Sequence, residues 1–243
     1  MTVGAVTSAG EVPVEIVIAP LTIDDSELRA LASMLSADER RRAESFVFER
    51  DRRRYIAARA RLRQFVAART GACPELVQFI TSAWGKPALV RVGAAPNLRF
   101  NLSHCDDLAA YVFAIGHEVG IDVERVRALP GADAIAERCF SRREAQAYRA
   151  LAAPDRPLGF FNCWTRKEAF VKARGDGLGC ALDEFDVSLA PGEPARILRV
   201  GEIDGAACGW SLIDCPTAPG FVGAIAVSVP TRPCEAWSAR STW

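Results

Sequence analysis

Two carboxylates stand two residues apart in the apolar segment Gly120–Glu124, which reads GIDVE. Side chains at positions i and i+2 of a strand point to the same face, so Asp122 and Glu124 would lie side by side. Two like charges in that arrangement repel each other, and a divalent cation removes this cost. Oxygen ligands of this kind are typical of magnesium sites. The spacing alone therefore indicates either a magnesium site or an exposed strand face on which Arg125 and Arg127 are the ion-pair partners.

A second set of polar groups lies in the segment 164–172, which reads WTRKEAFVK. Helical geometry places part of this segment on one stripe, at the spacing i, i+3, i+4, i+7 and i+8. That stripe consists of Trp164, Lys167, Glu168, Val171 and Lys172. A stripe that mixes apolar and charged residues favours the wall of a cleft, where the charged members meet a ligand. The alternative is an exposed ion pair between Glu168 and Lys172, with the lysine stems lying along the helix.

A third segment, FNLSH at 100–104, ends a predicted strand with a hydroxyl and an imidazole. Adjacent residues on a strand point to opposite faces, and the chain has no Gly-x-Ser-x-Gly motif, so a serine hydrolase is excluded. Ser103 and His104 are better interpreted as hydrogen-bond donors to a phosphate or a nucleotide.

Basic residues are distributed unevenly along the chain. Of the 30 lysines and arginines, only Lys86, Lys167 and Lys172 are lysines, and a compact ammonium differs chemically from a planar guanidinium. Residues 36–69 hold eleven arginines against five acidic residues, an excess of six positive charges. This excess fits either a solvated helical face or a wall that binds phosphate, and Arg54, beside the buried stripe of its helix, favours the second.

The elements that must position these residues follow from hydrophobic periodicity and capping. Ser36 with Glu39 and Ser141 with Glu144 form capping boxes, which begin helices, and Gly71 and Gly175 are typical helix ends. The predicted helices cover residues 24–35, 36 onward, 51–69, 141–151 and 158–174. The predicted strands cover residues 12–19, 77–81, 98–102, 109–115, 119–123, 185–189, 195–200, 210–213 and 221–229. Helices therefore precede strands twice, which predicts an α+β protein of two similar halves, 1–117 and 118–243, packed together.

Composition excludes several classes of protein. The chain has 243 residues, half of them hydrophobic, and a formal net charge of zero, which is the profile of a globular protein with no bulk attraction to nucleic acid or lipid. Eight cysteines and two histidines show no zinc-ligand spacing. The first 18 residues lack the pattern of a signal peptide, and no stretch is apolar enough to span a membrane, so we expect a cytoplasmic location with reduced thiols.

Four segments in order carry a resemblance to a known family: GKP at 85–87, FNLSH at 100–104, GIDVE at 120–124 and W-x-x-KEA-x-x-K at 164–172. They resemble the motifs of the 4′-phosphopantetheinyl transferases of the surfactin-synthetase-activating (Sfp) type. Their spacing is similar to that of the longer, monomeric branch. The resemblance covers roughly residues 36–190 and includes all three lysines of the chain.

The resemblance implies an enzyme that moves the 4′-phosphopantetheine arm of coenzyme A onto a serine of an acyl or peptidyl carrier protein and releases 3′,5′-ADP. Such carriers serve fatty-acid, polyketide, nonribosomal-peptide or siderophore synthesis. The implied fold is a pseudo-twofold pair of α+β halves, with coenzyme A in the cleft between them. The metal is magnesium, with manganese as the alternative, and the implied chain is a monomer that binds neither nucleic acid nor membrane.

The resemblance also implies roles for individual residues. Magnesium would be held by Asp122, Glu124 and Glu168. Glu168 would accept the proton of the carrier serine, and Lys172 would stabilise the departing ADP oxygen. Coenzyme A would be bound by Arg42, Arg54, Lys86, Ser103, His104, Asp122 and Lys167.

This chain departs from the common family pattern at two positions, and two other functions remain open. Cys105 stands where serine is frequent, and Glu39 stands where some members have a basic residue. One alternative is a catalytically silent module that binds coenzyme A or a nucleotide, which would not need Asp122, Glu124 and Glu168 together. The other is a nucleic-acid-binding protein, which the zero net charge disfavours.

Overall fold

The computed structural model describes residues 2–7, 12–82, 85–90, 97–175, 181–204 and 209–230. The strands are β1 (Thr2–Thr7), β2 (Pro13–Pro20), β3 (Phe79–Thr81), β4 (Pro87–Leu89), β5 (Leu98–Cys105), β6 (Leu108–Ile115), β7 (Val119–Arg125), β8 (Phe185–Val187), β9 (Ile197–Val200), β10 (Ile203–Asp204), β11 (Trp210–Asp214) and β12 (Phe221–Ser228). The helices are α1 (Asp25–Ser33), α2 (Ala37–Glu44), α3 (Glu49–Thr70), α4 (Ala132–Cys139), α5 (Arg142–Ala150) and α6 (Arg156–Arg174). Single 3₁₀ turns cover Pro74–Leu76, Ala153–Asp155 and Leu182–Glu184.

The helix ends form as the sequence predicts. Ser36 and Ser141 each make both hydrogen bonds of a capping box, at the starts of α2 and α5. The helices α3 and α6 end at Gly71 (φ 72°) and Gly175 (φ 79°), in the left-handed conformation that glycine adopts without strain. Helix α4 was not predicted, because it has only eight residues and begins at Gly131 without a side-chain cap. The strands β1, β4 and β10 were not predicted either.

The strands form two main antiparallel sheets. The first has the order β1–β2–β6–β5, and the second has the order β11–β12–β7. The edge strands β5 and β7 lie next to each other without backbone pairing among the residues described, and the Asn101 side-chain oxygen accepts a hydrogen bond from the backbone N–H of Ile121 at 3.0 Å. The two sheets therefore meet along β5 and β7, and side chains rather than a hydrogen-bond ladder join them.

Three apolar cores hold these layers together. Helices α1, α2 and α3 pack on the outer face of the first sheet, around residues such as Phe65 and Tyr111. Helices α4, α5 and α6 pack around β8, β9 and β12. A third core lies between the two sheets and contains Val14, Val112, Ile121 and Ile225. The fold is α+β as predicted, while the division into residues 1–117 and 118–243, which falls in the turn between β6 and β7, stays a prediction.

No helix within the described ranges is long and apolar enough to cross a membrane.

A buried ion-pair cluster ties α2 to α3. The Glu39 carboxylate is buried and accepts hydrogen bonds from Arg59 and from Arg63, the latter at 2.6 Å. Arg63 also donates to the carbonyls of Pro74 and Val77, at 2.8 and 2.9 Å. Burial opposes the charge of Glu39, but the two guanidinium groups and the Ser36 N–H outweigh it, so the pKa of Glu39 lies below its ordinary value of 4.5. The acidic residue at position 39 is therefore a structural group.

Glu39→Gln is expected to lower the free energy of unfolding at pH 7 by about 3 kcal/mol, since it leaves the buried Arg63 guanidinium and the partly exposed Arg59 guanidinium without their counter-charge. A lowered folded-state pKa stabilises the fold above the unfolded value and loses that effect as the pH falls through the folded value. The difference between the two proteins should therefore shrink below pH 4.5. Urea unfolding at pH 7 and pH 4 measures it, with the exposed Glu75→Gln as the control; an equal difference at both values would contradict the expectation.

Candidate active site

The site is built where β7 packs directly against α6. A Cβ atom at Gly120 would lie 2.2 Å from the Ala169 carbonyl oxygen and 2.3 Å from the Ala173 nitrogen, so only glycine permits this contact. Backbone therefore touches backbone, and the strand residue Asp122 comes within reach of the helix residue Lys172.

The carboxylate of Asp122 is the buried centre of the site. Its Oδ1 accepts a hydrogen bond from the Ser103 hydroxyl at 2.8 Å and one from the Lys172 ammonium at 2.6 Å. The same ammonium lies 3.3 Å from the Ser103 oxygen. The second oxygen, Oδ2, is buried and has no hydrogen-bond partner. Because an unpaired buried carboxylate oxygen is costly, this atom marks a place suited to a cation or a donor from a ligand.

Two further carboxylates lie near Asp122. Glu124 accepts a weak hydrogen bond from the Cys105 thiol at 3.4 Å and faces Arg127 at 3.6 Å. Glu168 is half-buried, and its pKa is raised, first by burial and then by the charges of Asp122 and Glu124, while Lys172 opposes the shift. As they stand, no three His, Cys, Asp or Glu side chains in the described ranges are close enough to enclose a metal ion. Asp122 and Glu124 are thus close enough to affect the charge of Glu168, but the three carboxylates do not enclose a metal ion in this arrangement.

A cleft of about 700 Å³ opens beside these carboxylates, in the size range of small-molecule sites. The residues that line it come from α3, β5, α4, α6 and the segments around 85–87 and 181–183. Among them are Tyr55, Arg59, Lys86, His104, Glu168 and Lys172. Basic groups outnumber acidic ones in this set, so the cleft is suited to an anion.

Two of the predicted ligand-binding residues stand in the cleft wall with lowered pKa values. Lys86 donates to the Ala173 carbonyl at 2.8 Å and faces Glu118 at 3.3 Å, and burial lowers its pKa. His104 lines the cleft, and its pKa is lowered first by desolvation against the cleft wall and then by the positive charges of Lys172 and Arg54. At neutral pH the His104 ring is therefore a neutral hydrogen-bonding group.

The structure corrects the prediction for Lys167. Its side chain is only 1% exposed, and its ammonium makes an ion pair with Glu144 at 2.7 Å. The same nitrogen donates to the carbonyls of Leu182 at 2.6 Å and Phe185 at 2.7 Å. All three N–H donors are used, so Lys167 has none left for a phosphate. It faces the core next to the cleft wall, whereas Glu168, Val171 and Lys172 face the cleft itself.

Comparison with known proteins identifies the family. A model described as 4′-phosphopantetheinyl transferase superfamily matches residues 118–214, and one described as 4′-phosphopantetheinyl transferase, N-terminal, matches residues 22–115. The 4′-phosphopantetheinyl transferase HetI of Nostoc is 37% identical over 209 residues, which cover 86% of this chain and 85% of HetI. This chain belongs to the 4′-phosphopantetheinyl transferase family.

Two other transferases of the family also match this chain. The protein psf-1 of Bacillus pumilus is 33% identical over 165 residues, which cover 68% of each chain. The protein ffp of Bacillus subtilis is 28% identical over 211 residues, which cover 82% of this chain and 89% of ffp. A solved apo-ACPS structure from Chronobacterium ammoiniagenes covers 47% of this chain and 99% of its own, with a TM-score of 0.34 at 18% identity, a likeness too slight to support a conclusion.

Among the predicted coenzyme A ligands, Lys86 and His104 line the transferase cleft; those outside its lining are Arg42, Arg54, Ser103, Asp122 and Lys167. The exposed Arg42 guanidinium stacks over the Phe46 ring, 5.3 Å from its centroid, and Phe46 in turn contacts Tyr55 of the cleft wall. Arg54 is paired with Asp107 at 2.9 Å and approaches the cleft only through its electrostatic effect on His104. Ser103 is buried beneath the cleft floor against Asp122.

Sequence reasoning missed several groups that build the transferase site. Arg59 and Arg138 line the cleft, as does Tyr55, and Asn101 joins the two sheets beneath it. Arg59 was one of eleven arginines with nothing to distinguish it, and Arg138 lies in a helix that was not predicted. The one sequence feature that indicated any of these contacts was Asn101 in FNLSH, because a buried amide within an apolar strand needs a hydrogen-bond partner.

Proposed function

We propose that the cleft lined by α3, β5 and α6 is where this chain transfers the 4′-phosphopantetheine group of coenzyme A to a serine of an apo carrier protein. The observation that carries the assignment is the coincidence of three features. A basic cleft of about 700 Å³ adjoins three carboxylates, and one of these, Asp122, has a buried oxygen without a partner. A silent binding module would have no use for that costly carboxylate cluster.

Coenzyme A would lie along the basic wall of the cleft. Lys86 and Lys172 are placed to bind its phosphates, and the neutral His104 can donate a hydrogen bond at the same wall. Arg42 and Arg54, on the α2 and α3 side, would approach the 3′-phosphate once their present partners Phe46 and Asp107 release them. These roles are supported by position and charge.

The carboxylates fit a hard divalent cation. Asp122 Oδ2 has no hydrogen-bond partner, and burial together with the charges of Asp122 and Glu124 raises the pKa of Glu168, so these carboxylates would be stabilised by a cation. Asp122, Glu124 and Glu168 would hold magnesium, with manganese as the alternative, because these ions prefer carboxylate oxygen and keep open positions for water and phosphate. When bound, the ion would offset charge on the pyrophosphate and on the leaving group.

The residues of the cleft would then assist transfer in two ways. The serine oxygen forms a bond to the phosphorus that carries the pantetheine arm, while the bond from this phosphorus to the bridging oxygen breaks and 3′,5′-ADP leaves. Glu168 would accept the serine proton as the general base. Lys172 donates to the oxygen on which negative charge develops.

The proposal extends to the partner and to the setting of the enzyme. An acidic helix of the carrier would contact the exposed arginines of α2, Arg40, Arg41 and Arg42, where charge complementarity guides partner choice. We propose a cytoplasmic monomer, because the two halves already supply the paired arrangement. The family-model matches to residues 22–115 and 118–214 support the division near residue 117.

Intact-mass spectrometry of apo carrier proteins incubated with this protein, coenzyme A and magnesium tests the function. We expect a mass gain of one phosphopantetheine on a carrier serine, and we expect EDTA to abolish it. A panel of fatty-acid, polyketide and nonribosomal-peptide carriers would reveal the partner class. Coenzyme A binding without transfer to any carrier would contradict the proposal, and transfer that persists in EDTA would contradict its metal part.

A further inference from the structure

The Lys172 ammonium pairs with Oδ1 of a buried carboxylate that the proposed function assigns to a metal. Asp122 is only 4% exposed, and its Oδ1 accepts hydrogen bonds from the Lys172 ammonium at 2.6 Å and from the Ser103 hydroxyl at 2.8 Å. Elsewhere in the described ranges no basic side chain forms an ion pair with Asp122. Lys172 is therefore the counter-charge that makes the buried carboxylate tolerable in this state.

The Lys172 side chain also borders the cleft. Its side chain is 30% exposed and lines the cleft that would hold the phosphates of coenzyme A. A lysine stem is long and flexible, and its ammonium is a compact charge that can exchange one anionic partner for another. The ammonium can thus leave Asp122 without leaving the site.

We propose that Lys172 is a resident counter-cation of Asp122, which a divalent cation displaces and which then pairs with the phosphates of coenzyme A. This inference rests on the proposed function, since it takes Asp122 as a metal ligand. Without coenzyme A, Lys172 competes with the metal for Asp122. With coenzyme A, the phosphates accept the ammonium and free the carboxylate, so each ligand strengthens the binding of the other by the same factor.

The test is titration of Mn²⁺ alone into the full chain, followed by electron paramagnetic resonance of the free ion. Lys172→Met is expected to bind Mn²⁺ about tenfold more tightly than the unmodified protein in the absence of coenzyme A. Lys86→Met is the matched control, because it removes one positive charge from the same cleft without touching Asp122. We expect the control to change Mn²⁺ affinity by less than about twofold.

A second readout separates competition from a simple change in charge. Adding coenzyme A should tighten Mn²⁺ binding by the unmodified protein severalfold, and that factor should be smaller in Lys172→Met, where only the direct effect of the phosphates on the metal remains. The variant should also melt at a lower temperature than the unmodified protein in metal-free buffer and recover more on addition of Mn²⁺. The Asp122→Asn substitution should abolish the rise in melting temperature caused by Mn²⁺, whether position 172 holds lysine or methionine.

The possible failures are distinguishable. Equal or weaker Mn²⁺ binding by Lys172→Met, with normal binding by the unmodified protein, overturns the competition and leaves the metal site standing. Equal tightening in Lys172→Met and Lys86→Met also overturns it, because the effect would then come from net charge. Absence of Mn²⁺ binding by every variant overturns both this inference and the metal part of the proposed function, and carrier modification would still be measured independently by mass.

Discussion

Glu168→Gln is expected to lower the rate of phosphopantetheine transfer about a thousandfold while coenzyme A binding changes by less than about threefold. The substitution keeps the size of the side chain but removes the carboxylate that would accept the serine proton, and a positioned general base contributes about 10² to 10⁴ in rate. Single-turnover mass spectrometry gives the rate, and isothermal titration gives the affinity for coenzyme A.

The control for Glu168→Gln is Glu137→Gln, which makes the same chemical change at an exposed position on α4, where the side chain is 69% exposed. We expect it to retain the unmodified rate. If Glu168→Gln kept more than about a tenth of the unmodified rate, Glu168 would not be the base. A loss of coenzyme A binding as large as the loss of rate would instead assign Glu168 to substrate binding.

Lys167→Met is expected to lower the free energy of unfolding at pH 7 by about 3–5 kcal/mol, because it leaves the Glu144 carboxylate buried without its partner. Burial already raises the pKa of Glu144, and the Lys167 ammonium opposes that rise. Without the ammonium the folded-state pKa rises further above the ordinary value of 4.5. A raised acid pKa costs stability as the pH rises above the unfolded value, so the deficit should be largest at neutral pH and shrink toward pH 4.5.

Urea unfolding across pH 4.5 to 7.5 measures this deficit, with the double variant Glu144→Gln/Lys167→Met as the comparison. The double variant should recover a large part of the loss at pH 7, since no charge is then left buried. A deficit that does not depend on pH would assign Lys167 to packing alone. Lys167 also holds the Leu182 carbonyl in the cleft wall, so the single variant should bind coenzyme A more weakly as well.

The sequence was sufficient to predict features that depend on local geometry. The capping boxes at Ser36 and Ser141 and the glycine ends of α3 and α6 formed because each depends on residues within one helical turn. Asp122 and Glu124 lie close enough to raise the pKa of Glu168, while the role of the three carboxylates as metal ligands stays a prediction. The four motifs were enough to indicate the family that the comparisons show.

Features that depend on distant contacts could not be predicted. Helical spacing placed Lys167 beside Glu168 on one stripe, but it does not say which edge of the stripe faces the cleft. The direction of Lys167 is decided by Glu144, which lies in another helix, and by carbonyls near residue 182. In the same way, the burial of Ser103 against Asp122 depends on the meeting of β5 and β7, two edge strands of different sheets.

The apolar core between the two sheets has a consequence for how the protein loses its structure. Side chains from both sides of the turn at residue 117 fill it, including Val14 and Val112 from one sheet and Ile121 and Ile225 from the other. Opening the two halves would expose both apolar faces to water at once, so neither half can melt while the other stays intact. Unfolding should therefore be one cooperative transition, and heat should remove transferase activity and secondary structure at the same temperature.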